Sequence, residues 1–128
     1  MNLSFLMPLT LENIARARKL GYDGLEAGAG WTNSPALDEI LANISQYRDA
    51  LDEHEIEVTS VAIYGNTIGA PVDEAVAHWE KAMRVAMELD CHVVSGLTGR
   101  DNALTVEENL PLFAERFGPI CERAEDLG

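Results

Sequence analysis

Polar side chains suited to binding a small, hydroxyl-rich molecule lie near or just after the ends of three short strand-like segments of this chain. Glu26 can accept hydrogen bonds from ligand hydroxyls or support the ligand shell of a metal. Asn66, close to Tyr64, both donates and accepts hydrogen bonds through its amide. Arg100, next to Asp101, can clamp a phosphate or a carboxylate through its guanidinium. These residue types indicate binding of a polar metabolite, and none of them is predicted to be a catalytic residue.

Each of these residues also has a purely structural interpretation. Glu26 can pair with a polar group on a neighbouring strand, and Asn66 is a common turn residue. Arg100 and Asp101 can form a local ion pair that fixes their loop. Trp31 can stack on a sugar ring at the mouth of a site or pack within its own loop. Both interpretations of each residue stay open at this point.

The histidines and cysteines do not form a metal-binding or redox pattern. His54, His78 and His92 are scattered over two helical segments and the start of a strand, so no metal ligand is predicted. Cys91 and Cys121 are predicted to be core-packing thiols, which suits a reduced, cytoplasmic setting.

Composition excludes two classes of partner. The net charge is −13, from 22 acidic and 9 basic residues, whereas nucleic acids and anionic membranes attract basic surfaces. No segment approaches the roughly 20 apolar residues of a membrane helix, and residues 1–9 lack the features of a signal peptide. The sequence therefore predicts one cytoplasmic domain spanning residues 1–128, with no nucleic-acid or membrane partner.

Strand and helix signals alternate along the whole chain. The predicted strands are residues 2–7, 22–27, 56–63 and 91–97, and the predicted helices are residues 11–20, 35–54, 71–90 and 105–127. Thr10 is a predicted N-cap, Ser34-Pro35 and Pro71 are predicted helix starts, and Thr105 with Glu108 forms a predicted capping box. Gly21 and Gly128 are predicted to end helices. Pro111 and Pro119 are expected to kink or split the last helix.

Four βα repeats predict a parallel sheet with right-handed crossovers. Two architectures compete: a doubly wound sheet with helices on both faces, and a (β/α)8 barrel with helices outside only. Leu25 and Ala27 alternate with Gly24 and Glu26, so one strand face is apolar and the other is small and polar. No glycine-rich phosphate loop follows any strand, which counts against a nucleotide binder. We therefore predict a (βα)4 half of a (β/α)8 barrel.

Five segments taken together resemble the xylose-isomerase-like barrels, and the sugar phosphate isomerase/epimerase branch in particular. They read GYDGLE at 21–26, SVAIYGN at 60–66, LTGRD at 97–101, VEENL at 106–110 and AEDLG at 124–128. The resemblance covers essentially the whole chain but only the N-terminal half of the family's barrel.

The resemblance implies a small-molecule sugar or sugar phosphate as substrate and a divalent metal (Mn, Mg, Zn or Co) at the barrel mouth. It implies proton transfer next to a metal-polarised carbonyl and hydroxyl pair, with metal ligands on strands five to eight. No metal is then expected in this chain alone. The endonuclease branch implies histidine ligands at the ends of strands three and four, where this chain has Tyr64 and Thr98.

Two hypotheses follow for the function. The chain is the N-terminal half of a metal-dependent isomerase or epimerase, inactive by itself, or it is a non-catalytic half-barrel module that binds or scaffolds and self-associates. A four-stranded parallel sheet leaves two edges and one face uncovered, so both hypotheses predict either self-association or a missing C-terminal half.

Overall fold

The computed structural model describes residues 3–30 and 33–128. Strands alternate with helices along these residues, except that two helices follow the second strand. The four strands are β1 (Ser4–Pro8), β2 (Gly24–Gly28), β3 (Glu57–Ile63) and β4 (Val94–Gly96). The helices are α1 (Leu11–Lys19), α2 (Leu37–Ala42), α3 (Ile44–His54), α4 (Val72–Glu88) and α5 (Val106–Leu127).

The four strands form one parallel sheet in sequential order, β1-β2-β3-β4. Leu25, Ala27 and Val61 lie on the sheet face beneath the helices and are completely buried. Glu26 is aligned with Leu6 on β1 and Ser60 on β3, and this row on the opposite face remains partly or largely exposed. The predicted half barrel, with helices outside and a polar inner face, is confirmed.

Local helix signals at both ends of the chain are confirmed. The Thr10 hydroxyl accepts a hydrogen bond from the backbone N–H of Asn13 at 3.1 Å, which caps α1. Thr105 and Glu108 form the reciprocal capping box of α5. Gly21 and Gly128 end α1 and α5 with φ of 83° and 85°, values that a residue with a Cβ rarely adopts.

The prediction of a single helix over residues 35–54 is wrong. The helix starts only at Leu37, because Ser34 and Pro35 precede it in a turn whose Pro35 carbonyl accepts the N–H of Gly30 at 2.8 Å. It then breaks at Asn43, whose side-chain amide donates to the Glu39 carbonyl at 2.9 Å and so ends α2. Asparagine competes with the helix for backbone hydrogen bonds, and here it separates α2 from α3.

The prolines of α5 do not split it. Pro111 and Pro119 both lie inside a continuous helix of 22 residues. Each proline removes one backbone hydrogen bond, but packing on α4 compensates: Phe117 meets Trp79 edge-on at 5.4 Å between ring centroids, and Arg123 pairs with Glu80 at 2.9 Å.

Two smaller predictions also need correction. Strand β4 has three residues rather than seven. Cys91 is buried as predicted, but Cys121 is exposed, because it lies beside the uncovered edge of the sheet. None of the helices in the described ranges is long and apolar enough to cross a membrane.

Candidate functional site

The inner face of the sheet carries a carboxylate flanked by two hydroxyls. Glu26 is the central residue of β2, and the alternation of the strand directs it away from the helices. Ser95 on β4 reaches across β3, and its hydroxyl donates to Glu26 Oε1 at 3.0 Å. Tyr64, directly after β3, also forms a side-chain hydrogen bond with Glu26. We call Glu26, Tyr64 and Ser95 the inner-face cluster.

The inner-face cluster has a defined protonation pattern. Burial and the negative charge of Glu26 both raise the pKa of Tyr64 above 10.0, with the Tyr64–Glu26 hydrogen bond adding to the shift. Tyr64 is therefore a neutral phenol over the physiological pH range and can act as a donor. The cluster offers one carboxylate acceptor and two hydroxyls, which is the chemistry that binds vicinal hydroxyl groups.

Asn66 connects two loops at the carboxyl edge of the sheet. Its side-chain N–H donates to the Arg100 carbonyl at 3.0 Å, and its side-chain oxygen accepts the N–H of Gly69 at 3.1 Å. Gly99 lies against Asn66 with φ of 69°, and any Cβ at residue 99 would overlap the Asn66 side chain. The amide of Asn66 thus holds the loop after β3 against the loop after β4.

Arg100 and Asp101 do not pair with each other in the described structure. Arg100 Nε donates to the Asn102 side chain at 2.7 Å, and the Asp101 carboxylate accepts the N–H of Ala103 at 2.8 Å. Asn109 is buried and binds the Asp101 backbone N–H and carbonyl at 2.8 and 3.1 Å. The exposed Arg100 guanidinium therefore lies on a loop that other residues fix.

Trp31, the remaining predicted site residue, lies outside the described residues. The predicted site residues therefore divide into two groups. Glu26 and Tyr64 meet on the inner face, while Asn66, Arg100 and Asp101 build the adjoining loops.

Three residues near this edge, Ser95, Glu74 and His78, were not among the predicted site residues. Ser95 could have been predicted from the two-residue alternation of β4, because it lies on the same polar face of the sheet as Glu26 in β2. Glu74 and His78 line a cavity of about 290 Å³ that Tyr64 and Asn66 also line. Burial, with a smaller contribution from Lys81, lowers the pKa of His78, so this imidazole is neutral at pH 7. Because Glu74 and His78 lie on α4, their approach to Tyr64 depends on how the helix packs.

The residues present do not fit a complete metal site. Within residues 3–30 and 33–128, no group of three or more histidine, cysteine, aspartate or glutamate side chains is placed to hold a metal ion. Glu26 contacts the hydroxyls of Ser95 and Tyr64. No chemical step through a metal is therefore derived for this chain.

Four parallel βα units with helices on one face and a polar inner face define one half of a (β/α)8 barrel. The chain belongs to the xylose isomerase-like TIM barrel family, whose model matches residues 14–128. No curated protein matches the chain significantly.

Solved structures with this fold come from proteins with different activities. The "probable 3-DHS dehydratase AsbF" of Bacillus anthracis aligns with a TM-score of 0.72 and 14% identity over 99% of this chain. D-psicose 3-epimerase of Clostridium cellulolyticum H10 aligns with a TM-score of 0.70 and 17% identity over 100% of this chain. An AP endonuclease, family 2, of Brucella melitensis aligns with a TM-score of 0.70 and 16% identity over 98% of this chain.

These alignments establish the fold alone, because the identities are low. The chain spans 49%, 50% and 52% of the lengths of the three proteins.

Proposed function

We propose that this chain is one half of a sugar isomerase or epimerase and that its inner-face cluster binds substrate hydroxyls. The observation that carries the proposal is the convergence of Tyr64 and Ser95 on Glu26, from three different strands or strand ends. Barrel enzymes bind their substrates at the carboxyl-end face of the barrel, and Tyr64, directly after β3, lies at that face. The epimerase among the similar structures supports a sugar as the class of substrate.

The proposed reaction is proton transfer at the carbon next to a carbonyl and hydroxyl pair. In this proposal Glu26 accepts hydrogen bonds from substrate hydroxyls, and Tyr64, as a neutral phenol, donates one. Arg100 has exposed N–H groups at the same edge for a phosphate or carboxylate substituent. The described residues hold no group of three side chains placed to bind a metal ion, so this proposal gives no residue of the chain to a divalent metal.

The proposal is tested by titrating the ¹⁵N-labelled chain with D-tagatose and following amide chemical shifts. We expect shifts concentrated at residues 26, 64 and 95 and their neighbours. Glu26→Gln keeps the shape of the side chain but removes its charge, and it should weaken binding about tenfold, the loss of one charge-assisted hydrogen bond.

The matched control is Glu57→Gln, because Glu57 is an exposed strand glutamate at the opposite end of the sheet. It should leave the titration unchanged. An absence of shifts at the inner-face cluster, or equal effects of the two variants, would contradict the proposed binding role.

A second candidate is a half-barrel module that binds or scaffolds without catalysis. It is favoured by the absence of a metal-ligand group within the described residues and by the apolar surface at both sheet edges. A chain that associates through those edges yet shows no sugar-dependent shifts would support this candidate over the enzyme.

A further inference from the structure

Among residues 3–30 and 33–128, the exposed large apolar side chains lie at the two ends of the sheet. Eleven large hydrophobic side chains are exposed among the described residues, and none of them falls between residues 21 and 86. The first group, on the β1 side, is Leu3, Phe5, Leu6, Leu11 and Leu20. The second group, on the β4 side, is Met87, Val93, Leu97, Val106, Leu110 and Phe113. The two middle βα units are covered, and the two outer units are not.

The β4 side contains an open groove. It lies between the end of α4, β4 and α5, has a volume of about 360 Å³, and is lined mostly by apolar side chains that include Val93, Phe117, Ile120 and Leu127. In the described structure β4 pairs only with β3. The groove thus runs beside a strand edge whose backbone groups are unpaired on one side.

The β1 side presents a matching edge. Phe5 aligns with the buried Leu25 on β2, yet it is 49% exposed because no described strand lies on its other side. Leu3, at 48% exposure, lies next to it along the same edge. Burial of two such side chains is a substantial source of association free energy.

The helices beside the two edges carry opposite charge. Helix α1 contains three basic residues and one acidic residue, whereas α5 contains six acidic and two basic residues. A helix turns about 100° per residue. Arg16 therefore lies on the flank of α1 away from Arg18, whose partner is Glu55 next to α3.

The same geometry places an acidic residue on the free flank of α5. Arg116 and Arg123 reach the Ala70 carbonyl and Glu80, so they mark the flank that faces α4. Glu125 lies roughly opposite them around the helix. Arg116 reaches the Ala70 carbonyl near the carboxyl edge, so Glu125, about 14 Å further along α5, lies back from that edge, as Arg16 does about 8 Å along α1.

We propose that a second copy of this chain covers both edges. The two copies are related by a two-fold axis along the barrel, so that β1 of each copy pairs in parallel with β4 of the other. Eight strands then close into one barrel without free edges, and the same contact is made twice. Helix α5 of each copy covers the new seam and brings Glu125 beside Arg16 of the partner. The site is incomplete without the partner, which supplies a second inner-face cluster to the same interior.

Sedimentation velocity and light scattering of the full 128-residue chain test this proposal. The expected species is a dimer of twice 14.0 kDa, measured at about 0.15 M salt, where the Debye length of about 8 Å limits the repulsion between two acidic copies. Val93→Glu places a charge in the groove and should weaken dimerisation at least about tenfold. The matched control Ala77→Glu adds the same charge at an exposed position of α4 and should leave the dimer intact.

Charge reversal provides an independent measurement that does not disturb the apolar groove. Arg16→Glu alone and Glu125→Arg alone should each weaken the dimer several-fold, and the double variant should recover most of the loss. Far-ultraviolet circular dichroism verifies that each variant is folded.

Three outcomes would overturn the proposal. They are a folded monomer at high protein concentration, an association insensitive to Val93→Glu, and charge variants whose effects simply add. A monomer would assign the edges to a different partner, such as a second half barrel of unlike sequence. None of these outcomes depends on sugar binding, so the dimer and the proposed function fail separately.

Discussion

At the scale of single residues, the unusual feature is a glutamate in the middle of a strand. Glu26 is tolerated there because it faces the inner side of the sheet, is only partly buried, and has two hydroxyl neighbours. A buried carboxylate without hydrogen-bond partners would lower the free energy of unfolding by an amount on the order of several kcal/mol. The hydroxyls of Tyr64 and Ser95 reduce that cost and orient the carboxylate.

The Tyr64–Glu26 contact predicts a titration effect. Glu26→Gln removes the negative charge that disfavours the phenolate, so the pKa of Tyr64 should fall toward 10.0. Ultraviolet absorbance of the phenolate during an alkaline titration measures this pKa. Because burial and Glu39 also raise the pKa of Tyr47, a Tyr64→Phe variant is needed to assign the signal.

The sign of the stability effect follows from the same shift. The folded state binds the Tyr64 proton more tightly than the unfolded chain does. The resulting contribution to the free energy of unfolding is therefore fully present below pH 10.0 and is lost as the pH rises through the folded pKa of Tyr64. In Glu26→Gln the loss should still begin near pH 10.0, but it should be smaller and be complete at a lower pH, because the folded pKa of Tyr64 lies closer to the unfolded value. An unchanged Tyr64 titration in this variant would contradict the contact.

At the scale of elements, buried polar groups connect the carboxyl edge of the sheet to α4. Thr67 is buried, donates to the Leu97 carbonyl at 3.1 Å and accepts the indole N–H of Trp79 at 3.1 Å. One hydroxyl therefore joins the loop after β3, the residue following β4 and the centre of α4. Gly96 lets the Trp79 ring lie against β4, since a Cβ there would come within 3.0 Å of the ring.

Thr67→Val should therefore destabilise the fold. The variant keeps the shape of the side chain but leaves the Trp79 N–H and the Leu97 carbonyl without their partner, at an expected cost of about 1–3 kcal/mol. Urea unfolding followed by tryptophan fluorescence measures it. Thr59→Val is the matched control, because the exposed Thr59 makes one hydrogen bond, to the Leu25 carbonyl, and should cost less. Equal costs in both variants would show that the connection through Thr67 is unimportant.

At the scale of the whole molecule, the central strands β2 and β3 are mostly buried, whereas apolar side chains are exposed on or beside the outer strands β1 and β4. Parallel sheets are normally buried on both faces and closed or covered at their edges. Here the interior-facing Leu6 and the edge residue Phe5 remain accessible, and the β4 groove is open. The exposed apolar surface therefore lies at the two strand edges, β1 and β4, that pair with neighbouring strands in a closed eight-stranded barrel.

A tandem chain made of two copies tests closure directly. Strand β1 begins at the edge of the sheet to which α5 returns, so a short flexible linker can join residue 128 of one copy to residue 1 of the next. The proposed barrel predicts that this tandem chain is a monomer and unfolds at a higher temperature than the single chain at equal mass concentration, because joining makes the association intramolecular. Light scattering and calorimetry measure both. Open-ended oligomers of the tandem chain would contradict closure.

The sequence by itself determined the features that arise from local interactions. The caps at Thr10 and Thr105, the glycine stops and the alternation of βα units depend on residues within a few positions of each other. The two-residue alternation around Glu26 also predicted which face would be polar, and hence the half barrel.

Only the tertiary structure decided which distant groups meet. Ser95 lies 69 residues from Glu26, and their contact depends on the register of three strands. Packing on α4 keeps α5 continuous despite its prolines, and the uncovered β4 edge leaves Cys121 exposed. Such outcomes depend on the free energy of contacts between elements, which local propensity does not contain.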